Sequence, residues 1–222
     1  MPIGFRILPN APQIDPDVIA RFKQLPTGNV ADCMGRFRAM SDTISSMVPG
    51  VTMCGTAVTV MTRAGDNLLV HKALEVARPG DVVVVDTLGG YRAAVVGEIM
   101  TQTAVGAGLG GFVIDGAVRD VAELSKLGFP VYAAAVAATA CDKDGPGEIN
   151  VPIACGGVVV CPGDLVLGDD DGVVVVPAEL IPEVLVASEA KHRAEEVRIA
   201  EIKAGKLFSP DINPTLESKG II

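Results

Sequence analysis

Tryptophan is absent, aromatic residues make up only 4% of the 222, and there are two histidines. A core without large rings must be filled by Val, Ala, Leu and Ile, and Val-rich runs favour strands. His71 and His192 lie far apart and in neither HExxH nor HxH spacing, which argues against a zinc site; each reads as a helix-surface residue. No Lys/Arg cluster occurs, and 18 basic against 27 acidic residues leave a net charge of −9. That balance argues against a nucleic-acid partner. An anionic substrate would need locally placed cations, since the overall field repels it. No apolar run approaches the roughly 20 residues of a membrane span. The start, MPIGFRILPN, lacks the charged and apolar regions of a signal peptide. The five cysteines (Cys33, Cys54, Cys141, Cys155, Cys161) are odd in number and form no CxxC pair. They read as buried, inert thiols of a cytoplasmic protein. With two histidines to activate them, a cysteine nucleophile is disfavoured.

Apolar residues, in contrast, are 49%, and 25 Gly and 15 Pro punctuate the chain. This suits a sizeable core built from short elements. Pro16 behind Asp15 marks a helix start, and residues 15–38 read as one or two short helices. VTMCGTAVTVMT (51–62) reads as a strand with a glycine that marks a bulge. GDNLLVHKALEVARPGD (65–81) reads as a helix whose stripe is Leu68, Leu69, Lys72, Ala73 and Val76. VVVVD (82–86) is an all-apolar strand of the kind buried on both faces. A small-residue helix (97–111), a strand (112–116), a helix ending on Gly128 and a strand (130–136) follow. Residues 147–177 are short strands and tight turns. Residues 178–205 form a long charged helix, broken near Pro182 and too polar to be core, which suits docking on a neighbouring subunit. The tail ends in a short helix. Strand–helix alternation followed by strands predicts an α/β domain with a mixed sheet.

Three stretches could carry chemistry. The helix starting at Gly97 follows a strand and a Gly-rich turn, and free N–H groups at a helix start bind anions. TLGGYRAAVVGE is neither a Walker loop nor GxGxxG, so a small carboxylate fits better than a nucleotide; a plain connecting turn is the alternative. Arg119-Asp120 could be first-turn helix charges. Their place at the carboxyl end of a buried strand equally suits a ligand site, with Asp120 a hard oxygen ligand for Mg²⁺ or Mn²⁺ and Arg119 gripping an oxyanion. The triple Asp of GDDDGVVVVP (168–177) reads as an acidic turn with Gly172 at the positive-φ position. Asp66 and Lys72 could reach a site or simply form a solvated face.

GEIMTQTAVGAGLGGFVIDGAVRDVAEL resembles the signature of the RraA-like proteins, which include the class II pyruvate aldolases. The resemblance extends through residues 64–86 and 144–177. It implies one α/β domain of the swivelling β/β/α type with mixed sheets: an N-terminal helical region (1–48), an α/β core (49–177), and a C-terminal helix and tail (178–222). It implies that Asp120 binds a divalent metal (Mg²⁺, Mn²⁺ or Co²⁺), with Glu98 orienting the metal's water from further out. Arg119 would bind the C2 oxygen of pyruvate and its enolate. The N–H groups of Gly97, Glu98, Ile99 and Met100 would hold the pyruvate carboxylate. Glu123, three residues after the Arg-Asp pair, favours the aldolases over the ribonuclease E regulators of the same family. Glu195 or Glu196 would reach a neighbour's site, and Asp32 is a further candidate for such a role.

The implied reaction is metal-dependent retro-aldol cleavage of a 4-hydroxy-2-oxo acid to pyruvate, with oxaloacetate decarboxylation as a side activity. The implied assembly is a trimer or hexamer with sites at subunit interfaces. The rivals are a non-catalytic regulator and a metal-dependent lyase of another small oxo acid. A methyltransferase is discounted for want of a Gly-rich adenosylmethionine loop.

Overall fold

The computed structural model describes residues 3–222. The N-terminal region holds β1 (Phe5–Ile7), α1 (Pro16–Phe22), α2 (Thr27–Cys33) and β2 (Ser45–Ser46). The start signal works as read: Pro16 lies in the first turn of α1, and Asp15 Oδ1 accepts the Asp17 N–H at 2.8 Å. The region is not purely helical, however. β1 runs parallel to a strand some 140 residues later, a pairing that a tripeptide does not advertise.

The centre is a parallel sheet of β3 (Met53–Thr62), β4 (Val82–Asp86), β6 (Gly111–Val118) and β7 (Val131–Val136), in that spatial order. Helix α3 (Leu68–Val76) connects β3 to β4. Between β4 and β6 run a short strand, β5 (Ala94–Val96), and helix α4 (Glu98–Gly106). Helix α5 (Val121–Leu127) connects β6 to β7. Helices α3, α4 and α5 cover one face, and VVVVD is wholly buried between two apolar layers. β8 (Gly147–Ile149) extends the sheet beside β3, with Ile149 in the helix-covered layer. The second layer is closed by the hairpin β9 (Ile153–Cys155) and β10 (Val158–Val160) and the hairpin β11 (Leu165–Asp169) and β12 (Gly172–Val176). β8 and β11 pair antiparallel with β3, and β2 with β7, which makes the sheet mixed.

Several expectations need correction. The β3–β11 register passes through Gly55 without a shift, so this glycine is no bulge. A Cβ there would strike the Gly80 carbonyl, so it serves close approach instead. The buried side of α3 is Leu69, Val70, Ala73 and Leu74; Lys72 is exposed and pairs with Glu75. α4 stops at Gly106 rather than 111. After a 3-10 turn (Ala178–Leu180), α6 (Ile181–Lys203) is unbroken, because Pro182 sits in its first turn where no N–H is needed. The first half of α6 does enter a core: Ile181, Val184 and Leu185 pack with Phe22, Val30 and Leu167. Only its second half is a solvated helix. The tail ends in α7 (Ile212–Ser218), as read.

The triple Asp is structural. Asp169 accepts the Thr27 N–H and hydroxyl at 2.9 and 2.7 Å, Asp170 accepts the Gly50 N–H at 2.7 Å, and Gly172 has φ 134°. Among the described residues no helix is long and apolar enough to cross a membrane.

Candidate active site

β5 and β6 pair in parallel with Val96 opposite Val118. The two strand-to-helix junctions that follow therefore emerge side by side, and the Arg119 N–H donates to the Val96 carbonyl at 3.0 Å. The register, not the 22-residue spacing, brings Gly97-Glu98 against Arg119-Asp120. Asp120 caps α5 in the left-handed region (φ 60°, ψ 34°), a conformation that costs a side chain about 1–2 kcal/mol and that Asp tolerates better than most. This turns its carboxylate back toward α4. Asp120 Oδ2 accepts the Glu98 N–H at 3.0 Å and lies 3.5 Å from Arg119 Nε. Gly97 leaves the space: a Cβ there would come 2.6 Å from Asp120 Oδ2 and 2.9 Å from Arg119 Cγ.

The anion cradle is thus narrower than expected. The N–H of Glu98 is taken by Asp120. Those of Gly97, Ile99 and Met100 have no acceptor among the described residues, as the first turn of a helix dictates.

A cavity of about 310 Å³ opens on this junction. Gly97, Glu98, Ile99, Met100, Arg119 and Asp120 line it. Asn67, His71, Cys141 and Lys143 also line it. His71 is not a plain helix-surface residue: it is half-buried and lines the cavity. Asn67, the N-cap of α3, and His71 in its first turn are four apart, a spacing that could have marked them. Lys143 sits on a loop with no such period. Burial, and then the Lys143 ammonium, lower the His71 imidazole below its ordinary value. Cys141 is only half-buried, but burial and the nearby Asp66 and Asp142 push its thiol up to about 11. It is no nucleophile at neutral pH. Cys33 and Cys161 are likewise half-buried, so only Cys54 and Cys155 fit the expected buried thiols.

Asp66 does not reach the cavity. It is fully buried and accepts the N–H groups of Leu68, Asp144 and Gly145 at 2.9, 2.7 and 2.8 Å. These bonds anchor the loop that carries Lys143. Burial alone would raise this carboxyl, but the three N–H groups and Arg63 outweigh it and hold it below its ordinary value. A carboxyl depressed in the folded chain stabilises the fold above its unfolded value of about 3.9. That contribution is lost as pH falls through the folded value. Asp66→Asn is expected to cost about 1–3 kcal/mol at neutral pH. Urea unfolding at neutral pH and at about pH 3 checks this: the variant's midpoint should move less with pH than the wild type's.

The remaining candidates lie elsewhere. Glu123 is one turn into α5, where its carboxylate pairs with Lys126 at 2.7 Å outside the cavity lining. Asp32 pairs with Arg36 at 3.0 Å and Lys191 at 3.1 Å, and Lys191 also meets Glu195 at 3.2 Å. Hydrogen bonds from Arg36 and Lys191 hold the Asp32 carboxyl below its ordinary value. Glu196 lies 3.8 Å from His192. This network sits where α2 meets α6, and none of the three carboxylates lines the cavity of its own chain.

No group of three or more His, Cys, Asp or Glu among the described residues could enclose a metal ion. The donor set fits a different kind of centre. Asp120 presents one carboxylate at the cavity, with Oδ1 free of protein hydrogen bonds among the described residues. A hard cation that keeps most of its water is held in this way.

The family model described as RraA-like, Aldolase/RraA, matches residues 27–175. A Halalkalibacterium halodurans protein provisionally named a 4-hydroxy-4-methyl-2-oxoglutarate aldolase is 39% identical over 186 residues, covering 84% of this chain and 89% of that one. The 4-hydroxy-4-methyl-2-oxoglutarate aldolase of Thermus thermophilus is 39% identical over 112 residues, covering 50% of this chain and 68% of its own. Among solved structures, the RNA-processing inhibitor RraA from Thermus superposes with a TM-score of 0.63 at 33% identity, covering 68% of this chain and 92% of that one. The match contains both strand-to-helix junctions and the loop bearing Lys143, and the chain belongs to the RraA-like family.

Proposed function

We propose that the chain is a divalent-metal-dependent aldolase that cleaves a 4-hydroxy-2-oxo acid to pyruvate and a second oxo acid. One observation carries the reading: Arg119, the free face of Asp120 and the unpaired N–H groups of Ile99 and Met100 meet at one cavity. The two relatives named as aldolases support the same reaction class. Asp120 would hold the cation (Mg²⁺, Mn²⁺ or Co²⁺), which supplies Lewis-acid polarisation of the 2-oxo group.

The rest falls to the chain's own groups. The Ile99 and Met100 N–H groups hold the substrate C1 carboxylate at the positive end of α4. Arg119 donates to the C2 oxygen. Glu98, half-buried at the rim, orients the water that takes the 4-hydroxyl proton. The deprotonated 4-oxygen forms the new C4 carbonyl as the C3–C4 bond breaks; that bond's electron pair becomes the C2–C3 double bond, and the carbonyl π pair moves onto the C2 oxygen as an enolate. The Arg119 guanidinium stabilises that charge better than the ground-state carbonyl, which is where the rate gain arises. Protonation at C3 gives pyruvate. The same enolate permits decarboxylation of oxaloacetate.

The test couples pyruvate release to lactate dehydrogenase across a panel of 4-hydroxy-2-oxo acids and oxaloacetate with Mg²⁺ present. Turnover of at least one 4-hydroxy-2-oxo acid is expected. No pyruvate from any of them would favour a non-catalytic protein like the RNA-processing inhibitor that shares the fold.

A further inference from the structure

The steps above leave one proton without a resting place. The water beside Glu98 takes it from the 4-hydroxyl, and C3 must receive one before pyruvate forms. Once Ile99 and Met100 hold C1 and Arg119 holds the C2 oxygen, the polar side chains left on the cavity wall are Asn67, His71, Cys141 and Lys143. C3 and C4 of the substrate therefore face these groups. Three of the four are unsuited to taking up a proton and giving it back. The Asn67 amide does not titrate near neutral pH, and its nitrogen is tied to the Val95 carbonyl at 3.0 Å. The Cys141 thiol, pushed up to about 11, keeps its proton. The Lys143 ammonium has donors but no acceptor. A neutral imidazole has one of each, and that of His71 makes no hydrogen bond among the described residues.

Resting on the aldolase reading, we infer that His71 is a further catalytic residue, the proton shuttle that takes the 4-hydroxyl proton from the water beside Glu98 and returns it to C3. The balance closes within one turnover. The O–H bond at C4 breaks, and its proton passes through the water to an imidazole nitrogen. After cleavage, the C2–C3 pair of the enolate takes that proton as a new C–H bond at C3, and the enolate oxygen re-forms the C2 carbonyl. The imidazole is neutral again, and no outside co-reactant is consumed. The shuttle must start neutral. Burial, and then the Lys143 ammonium, hold His71 below its ordinary value. This keeps it a base at neutral pH and makes its protonated form a stronger acid toward C3. The other charges near it are matched or set apart: Lys72 and Glu75 pair with each other on α3, Arg119 lies beside Asp120, and Glu98 faces the cavity from its rim.

Exchange of the pyruvate methyl protons in heavy water with Mg²⁺, followed by NMR, runs the C3 step alone and needs no aldol cleavage. The wild-type rate should be level at alkaline pH and fall as pH drops through the His71 value, below about 6.5. His71→Gln should lose about 100-fold in exchange while binding pyruvate with Mg²⁺ as the wild type does by isothermal titration, which also shows the fold intact. Lys143→Met removes a cation that disfavours the imidazolium, so its acid limb should move up by about 0.2–0.7 pH unit, with the alkaline rate unchanged. A His71 that only packs would give that substitution no limb to move. Should His71→Gln lose pyruvate binding, the Lys143→Met profile alone decides. A His71→Gln protein that exchanges at the wild-type rate, or an acid limb that stays in place in Lys143→Met, would overturn the shuttle and leave the aldolase reading standing. A wild type that neither exchanges the methyl protons nor releases pyruvate from any 4-hydroxy-2-oxo acid would overturn the aldolase reading itself.

Discussion

Arg119→Ala is expected to lower kcat for pyruvate formation by about 10²–10³, with a much smaller change in KM. The guanidinium is held where it can act: its backbone N–H is tied to Val96, and its Nε lies beside Asp120 Oδ2. A single preorganised donor aimed at developing charge is worth about 3–4 kcal/mol. The side chain is half-exposed, so its loss should hardly affect stability. Steady-state kinetics with a thermal melt on the same sample check both halves. A variant with full kcat would remove Arg119 from the enolate role. A variant that loses activity and melts early would show only a folding defect.

Gly97→Ala should be nearly as damaging for a different reason. The backbone at Gly97 is extended (φ −149°) and any residue can adopt it, so conformational strain is not the cause. The added methyl would occupy the space of Asp120 Oδ2 and Arg119 Cγ. Those side chains must move, and the Glu98 N–H loses its acceptor. Activity should fall about 100-fold, as a misplacement of some 1 Å can cause, while overpacking costs about 1–3 kcal/mol of stability. Activity and urea midpoint measured together test this. Near-normal turnover would show that the junction tolerates displacement and that the tight approach of α4 to Asp120 serves packing alone.

The apolar strands β4, β6 and β7 and the helix stop at Gly128 were legible because local composition determines them. β1 and β5 were not, because three-residue strands exist only through the neighbours that pair with them. Arg119 and Asp120 were legible as a pair after a strand. Their meeting with Gly97 depends on the β5–β6 register, which no local pattern encodes. The Glu98 N–H looked free for substrate. The left-handed turn at Asp120 is what commits it, and a non-glycine in that conformation is hard to foresee. His71 is not legible as a cavity residue, because one histidine on an amphipathic helix carries no sign of which side faces a cavity. Glu123, singled out only through the family resemblance, pairs with Lys126.

If the Arg119–Asp120 junction works with a divalent cation to release pyruvate, the rate of pyruvate release from the best 4-hydroxy-2-oxo acid depends on that cation. It is measured first in Mg²⁺, then in excess EDTA, then with Mg²⁺ restored, for the wild type and for Asp120→Asn. EDTA should abolish turnover and Mg²⁺ restore it, whereas the Asp120→Asn protein, folded by circular dichroism, should show no such recovery. Pyruvate released at an undiminished rate in EDTA, or an Asp120→Asn protein as active as the wild type, would contradict it.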